Sequence, residues 1–248
     1  MSGHSKWHNI KLRKSKVDAV NGQAFTRVAR EIIMAARQGG GNPETNFRLK
    51  MAVAKAKEVN MPGENIRRAI QRGSGELDGA SYDEVVYEGY GPGGVAILVE
   101  AATDNRNRTV ADLRNLFAKN GGNLGESGCV GWMFEKKGLI QIVADNVDED
   151  AVLSCVLEAG ALDMRRSEDT LEVTTSPEEL ETVKEALEKE NFPYTSAEVS
   201  MMPQNVVSVS QEDASRLLKL LEVVEDHDDV QKVWANFDIP DEVLERIS

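Results

Sequence analysis

Leu139 to Met202 reads LIQIVADNVDEDAVLSCVLEAGALDMRRSEDTLEVTTSPEELETVKEALEKENFPYTSAEVSMM, and the order of its segments decides the fold. Leu139 to Val143 is a short apolar run of strand length, Asp148 to Ala159 carries helical spacing, and Leu162 to Arg166 reads as a strand again. The same order follows at once: Thr170 to Thr175 as a strand, Pro177 to Glu190 as a helix, and Tyr194 to Met202 as a strand. Two consecutive β-α-β readings make the split β-α-β pattern of a ferredoxin-like domain.

Downstream, the second half of that pattern recurs as Val206 to Val209, a helix from Glu212 to Glu225, and Val230 to Phe237, but with no first half beside it. Upstream, Val95 to Thr103, a helix capped by Thr109 and running to Asn120, and Cys129 to Phe134 supply the missing half. This predicts a second ferredoxin-like unit interrupted by the first. Tyr82 to Tyr90 is strand-like as well, and Gly91-Pro92-Gly93-Gly94 joins it to Val95 as a hairpin signal. Trp132 and Trp234, each in an expected strand, are expected in the core.

The chain opens differently. After Gly22, the apolar residues Phe25, Val28, Ala29, Ile32 and Ala36 recur at helical spacing, and Gly39 to Gly41 ends that helix. Asn42 and Pro43 read as an N-cap and first-turn proline of a second helix with the stripe Leu49, Ala52, Val53, Ala56 and Val59. Met61-Pro62-Gly63 breaks it, and a third short helix turns Ile66, Ala69 and Ile70 inward. Around Gly73 to Ala80 both periodicity and charge sign change. The expected fold class is therefore α+β with three domains: an N-terminal three-helix bundle with a basic arm (1–78), a discontinuous α/β domain (79–134 and 205–248), and an inserted α/β domain (135–204).

The charge distribution points to function. Across 248 residues the net charge is −13, which alone argues against a polyanionic partner. The average hides an asymmetry: Met1 to Arg72 holds 15 Lys and Arg against 5 Asp and Glu, a surplus of +10, while the remainder holds 14 against 37, or −23. A basic head on an acidic body is the footprint of a module that binds phosphate polymers. The arm contributes Lys6, Lys11, Arg13, Lys14 and Lys16, with Trp7 able either to stack on a base or to pack. Arg27, Arg30 and Arg37 fall on one side of the first helix as an expected basic ridge, and Arg67 and Arg68 face outward on the third. Arg106 and Arg108 lie in Asp104-Asn105-Arg106-Asn107-Arg108-Thr109, just before a helix. That loop suits either a phosphate at the helix N-terminus or local salt bridges with Asp104.

Other chemistries lack their residues. Neither Gly89 to Gly94 nor Gly121 to Gly128 has the Gly-Lys-Ser/Thr ending that opens a helix in a phosphate-binding loop. His4 and His8 have the spacing of two metal ligands but no third, Cys129 and Cys155 stand alone, and no nucleophile-base pattern appears. No cofactor, no metal and no enzymatic activity are expected. The polar, basic first 24 residues carry no secretory signal, and no apolar run approaches the ~18 residues of a membrane span, so a cytoplasmic protein without membrane contact is expected.

Gly3-His4-Ser5-Lys6-Trp7, Tyr87 to Gly94, and Thr103 to Thr109, together with Phe25-Thr26, Gly39 to Gly41 and Gly121-Gly122-Asn123-Leu124-Gly125, resemble the YebC family along the whole chain. Gln23 departs from the lysine usual in that pattern. The resemblance implies a nonenzymatic, DNA-binding regulator of transcription in the cytoplasm. It implies as an alternative a translation factor bound to ribosomal or transfer RNA or the ribosome, because mitochondrial relatives are translational activators and bacterial members resemble ribosome-associated factors. Electrostatics alone does not separate DNA from RNA. A hydrolase or transferase built on the Arg106 and Arg108 loop, and a scaffold using the acidic body, are the readings from other classes.

Overall fold

The computed structural model describes residues 20–79, 81–145, 147–167 and 169–239, so the arm with Lys6, Trp7, Lys11, Arg13, Lys14 and Lys16 lies outside the described residues. Two compact units are present: Trp132–Val206, and the described residues that flank it, up to Gly131 and from Val207.

In the Trp132–Val206 unit the chain runs β4 (Phe134–Val143), α5 (Glu149–Glu158), β5 (Asp163–Ser167), β6 (Thr170–Thr175), α6 (Leu180–Lys189) and β7 (Ser196–Pro203). The sheet order is β5-β6-β4-β7 with every pairing antiparallel, the split β-α-β arrangement expected from the repeat. Asp148 starts α5 by accepting the Asp150 and Ala151 amides, and Glu149 and Asp150 sit at the positive end of its dipole. Period-two burial then places Ile140, Ile142, Leu171 and Val173 of the sheet against Val152 and Val156 of α5 and Val183 and Leu187 of α6.

The other unit begins with α1 (Val20–Gly39), α2 (Phe47–Glu58) and α3 (Gly63–Gly73). Val28, Ile32 and Ala36 of α1 pack with Leu49, Ala52 and Ala56 of α2 and Ile66 and Ala69 of α3. Ile33, Met34 and Ala35 are buried too, so α1 is covered on more than the one stripe its periodicity marks. The N-cap of α2 is Asn46 and not Asn42, and Pro43 lies in the preceding turn. The reason is local. The Asn46 carboxamide accepts the Leu49 amide at 3.1 Å and donates to the carbonyls of Ala35 and Gly40, both at 2.8 Å, fastening the end of α1 to the start of α2. A Cβ on Gly39 would come within 2.7 Å of that carboxamide, which accounts for a glycine there. Asn46→Ala removes a cap and the two bonds that fasten it to the end of α1, one of them buried, so it is expected to lower stability by about 2 kcal/mol in urea denaturation; a loss under about 0.5 kcal/mol would contradict this role.

Next come β1 (Asp83–Tyr90), a 3-10 turn at Pro92–Gly94, β2 (Ala96–Thr103), α4 (Arg106–Lys119) and β3 (Asn123–Leu124). After the other unit follow β8 (Val207–Ser208), α7 (Gln211–Glu225), β9 (Val230–Ala235) and β10 (Phe237–Asp238). The main sheet is ordered β3-β1-β2-β9 and wholly antiparallel, with Ile97 and Val99 facing Leu113 and Phe117 of α4 and Leu217 and Leu220 of α7.

The mixed α+β class holds, but the strands that build this sheet are not those expected. In the split β-α-β layout β2, β3 and β9 occupy the first, second and fourth places, and β1, from the front of the domain, takes the third. Val207–Ser208 instead pairs in parallel with Phe237–Asp238. Cys129 to Gly131 is not a strand, because the chain there curls around the side chain of Glu88. The carboxylate accepts the amides of Gly128, Val130 and Gly131 at 2.7, 2.7 and 2.6 Å. An extended strand, whose amides alternate in direction, cannot aim three of four successive N–H groups at one carboxylate. Trp132 lies in a 3-10 turn at Gly131–Met133 and is 66% exposed, so it is not a core residue, whereas Trp234 is buried. No helix among the described residues is long and apolar enough to cross a membrane.

Candidate nucleic-acid interface

The cations of the helical segment divide into two sets. Arg27 and Arg30 lie on the side of α1 that meets β2, the end of α7 and the turn after it, so they do not extend the expected outward ridge to Arg37. Arg30 reaches the Asp229 carboxylate at 3.0 Å and the Ala102 carbonyl at 3.2 Å, and its guanidinium stands 5.0 Å from the centre of the Tyr82 ring. Arg27 donates to the Glu225 carbonyl. Burial pulls the Arg27 pKa down, and the nearby charges of Glu225, Asp226 and Asp228 only partly offset it. Arg37 alone of the three is exposed, and it donates to the Ser81 hydroxyl.

Asp229 is the anchor of this region. It is 2% exposed, and besides Arg30 it accepts from Arg108 at 2.8 Å and from the hydroxyls of Thr109 and Thr103 at 2.7 and 3.3 Å. Burial pushes its carboxyl up, but the hydrogen bonds from Arg108 and Thr109 and the charges of Arg108 and Arg30 outweigh it and hold it below the ordinary aspartate range. Arg108 also pairs with Asp104 at 2.9 Å, and Arg106 pairs with Asp83 at 3.0 Å. Of the two readings open for this loop, the geometry is that of local salt bridges. The N-cap of α4 is Asn105, which accepts the Arg108 amide at 3.1 Å; Thr109 is inside the helix and turned toward Asp229.

The second set faces solvent. Arg67 and Arg68 on α3 have side chains 68% and 62% exposed and share Glu64, at 2.6 and 3.2 Å, as their acidic partner among the described residues. The Glu64 carboxyl is held below its ordinary range chiefly by the hydrogen bond from Arg67. Arg72 on the same helix is exposed, as are Lys50 and Lys57 on α2. Charge counting within 1–78 gave these residues no precedence over Arg27 and Arg30. On α2, Phe47, Lys50, Ala54 and Lys57 are exposed at i, i+3, i+7 and i+10, one face of the helix, and Phe47 is 61% exposed at its first turn. An uncovered phenylalanine in a row with lysines is a feature that helical spacing could have revealed.

Among the described residues no group of three or more His, Cys, Asp or Glu side chains could hold a metal ion. A cavity of ≈ 200 Å³ separates Val28, Glu31 and Met34 of α1 and Lys55 of α2 from Glu100 of β2 and Lys232 of β9. Burial raises the Glu100 pKa, and the charge of Lys232 opposes that rise.

These observations define a class: a mixed α+β protein with a cationic helical segment at its front and acidic α/β elements behind it. The chain belongs to the TACO1/YebC family, whose N-terminal domain matches residues 5–76 and whose second and third domain matches residues 82–237. It is 57% identical over 249 residues to a protein named "Probable transcriptional regulatory protein" from Dictyoglomus turgidum, covering 100% of both chains. A protein of the same name from Natranaerobius thermophilus is 54% identical over 248 residues, with 99% of each chain covered. Among solved structures, the conserved hypothetical protein Aq1575 from Aquifex aeolicus superposes with a TM-score of 0.82 at 50% identity, over 91% of this chain and 93% of that one. The two sequence relatives carry a regulatory name.

Proposed function

We propose that the protein is a nonenzymatic, cytoplasmic regulator of gene expression that binds nucleic acid through residues 1–78, with 79–134 plus 205–248 and 135–204 as two further domains. One observation carries this reading: Lys50, Lys57, Arg67, Arg68 and Arg72 project into solvent from α2 and α3, in a segment whose surplus of positive charge contrasts with the acidic remainder. Contacts of this kind go to phosphates and fix position without reading sequence. The names of the relatives support DNA as the polymer and transcription as the process. A second reading, RNA and translation, is favoured by the exposed Phe47 beside Lys50, because an aromatic face stacks on unpaired bases, which duplex DNA does not offer.

Two measurements test the proposal. If ~6 phosphates are engaged, affinity for a short oligonucleotide is expected to fall on the order of 10³-fold between 50 and 200 mM salt. A flat response would remove nucleic acid as the ligand. Crosslinking in cells followed by sequencing of the attached polymer separates the two readings: promoter DNA supports the first, and ribosomal or transfer RNA the second.

A further inference from the structure

The helical segment and the α/β part of its unit keep separate apolar cores, one built on Val28, Ile32 and Leu49, the other on Val99, Leu113 and Leu217. Polar and charged groups span the seam between them. Arg27 reaches the Glu225 carbonyl, Arg30 reaches Asp229 and the Asp228 and Ala102 carbonyls, Arg48 pairs with Glu84, and Gln38 donates to Glu84 at 3.1 Å. Tyr82 packs on the helical core from the other side.

This seam is not finished as permanent interfaces are. It contains the ≈ 200 Å³ cavity described above. Three buried donors, Arg27 Nε, Arg30 Nε and Gln231 Nε2, have no acceptor among the described residues. Buried polar groups are nearly always hydrogen-bonded, and guanidinium donors left idle offset part of what the ion pairs contribute. A seam of ion pairs, idle donors and empty space is far more easily opened than a continuous apolar core.

We propose that this seam is a latch in which the turn Glu225–Asp229 occupies a polyanion-binding surface of Arg27 and Arg30, and that a phosphate polymer takes its place when the helical segment swings free. The turn presents to these two guanidiniums what a phosphate would: carbonyl and carboxylate oxygens. Docked, the acidic remainder repels the polymer and holds two arginines out of reach. Undocked, both arginines join the exposed cations of α2 and α3. Binding then costs the docking energy first, and weakening the latch raises apparent affinity by the gain in the open population. The inference rests on the proposed reading of residues 1–78 as a nucleic-acid grip, but the latch is measurable with no nucleic acid present.

The test uses Glu84→Gln, which removes the Arg48 ion pair without touching Arg27 or Arg30. The control is Glu178→Gln, an equal charge change at an exposed position of the other unit. Dyes on Ala54→Cys in α2 and Lys219→Cys in α7, in a full-length Cys129→Ser, Cys155→Ser background, report docking by energy transfer. Raising NaCl from about 0.05 to about 0.5 M should lower transfer, and Glu84→Gln should shift that change to lower salt. At one fixed salt, Glu84→Gln should bind a single-stranded RNA or DNA probe about two- to fivefold tighter than Glu178→Gln. Transfer that ignores both salt and Glu84→Gln overturns the latch, as does equal probe affinity of the two variants. Salt-dependent transfer with no probe binding by any form overturns the nucleic-acid reading and the masking with it, while leaving a reversible docked state established.

Discussion

Replacing Arg67, Arg68 and Arg72 together by glutamate is expected to weaken binding to a short nucleic-acid probe by on the order of 10²- to 10³-fold near 0.1 M salt. The magnitude follows from counterion release. Each phosphate neutralised contributes a slope of about 0.9 in the logarithm of affinity against the logarithm of salt, so each contact is worth nearly tenfold at that concentration. The slope itself should fall by about three, a signature that a general loss of structure would not give. The fold should survive, because all three side chains point into solvent from α3 and Glu64, the partner of Arg67 and Arg68, is exposed as well. Unchanged circular dichroism together with a loss under about threefold would mean that α3 is not part of the grip.

The contrast between these arginines and those of α1 shows what the sequence makes legible. Helical spacing told which residues of α1 to α3 meet in a core, since a periodic stripe is a local property: Val28, Ile32, Leu49, Ala52 and Ala69 are all buried. The β-α-β repeat of Leu139 to Met202 was legible because strand and helix patterns alternate in unbroken succession along it, although in the sheet β4 pairs with β6 and β7 and not with its neighbour β5. Arg27 and Arg30 carry no local sign of their fate. Their acceptors, Glu225 and the Asp228–Asp229 pair, lie nearly 200 residues downstream, and only the closed fold brings them together. Strand identity failed for a related reason. Val206 to Val209 and Cys129 to Phe134 have strand-like composition, yet β1 and β2 are neighbours in sequence joined by a tight turn, and their hairpin fills the third place in the sheet at little loop cost. N-caps were misplaced by a few residues wherever a second candidate stood nearby, as with Asn42 against Asn46 and Thr109 against Asn105.

Glu88→Gln is expected to lower the unfolding free energy by about 3 kcal/mol, although glutamine preserves the size of the side chain. Glu88 is 7% exposed on β1, and its two oxygens accept three amides, those of Gly128, Val130 and Gly131. A carboxamide has one accepting oxygen. It can serve one or two of the three amides, while its NH2 group points at the amide that faced the second oxygen, so at least one buried donor is left facing another donor. Hydrogen bonds to a charged acceptor are worth about 1.5–3 kcal/mol each, and the desolvation cost of the stranded amide adds to that. The backbone of this segment depends on the interaction: Gly128 sits at φ +88°, which few other residues adopt, and its amide is directed at the carboxylate. The pH dependence has a definite sign. Burial pushes the Glu88 carboxyl up, and the three amides together overcome it, so its pKa in the folded protein lies below the ordinary value of 4.5. The unfolded chain therefore takes up the proton first on acidification. The contribution of Glu88 is complete above about pH 4.5 and is lost as the pH falls through the lower folded value, so the variant's stability should change less than the parent's across that acidic window. Urea denaturation at neutral pH and at successively lower pH reads both effects, and Glu126→Gln, exposed in the same loop, provides the comparison. A Glu88→Gln protein as stable as the Glu126→Gln protein at neutral pH would mean that the three amides are satisfied without the charge, and that the loop before Trp132 is held by something other than the carboxylate it surrounds.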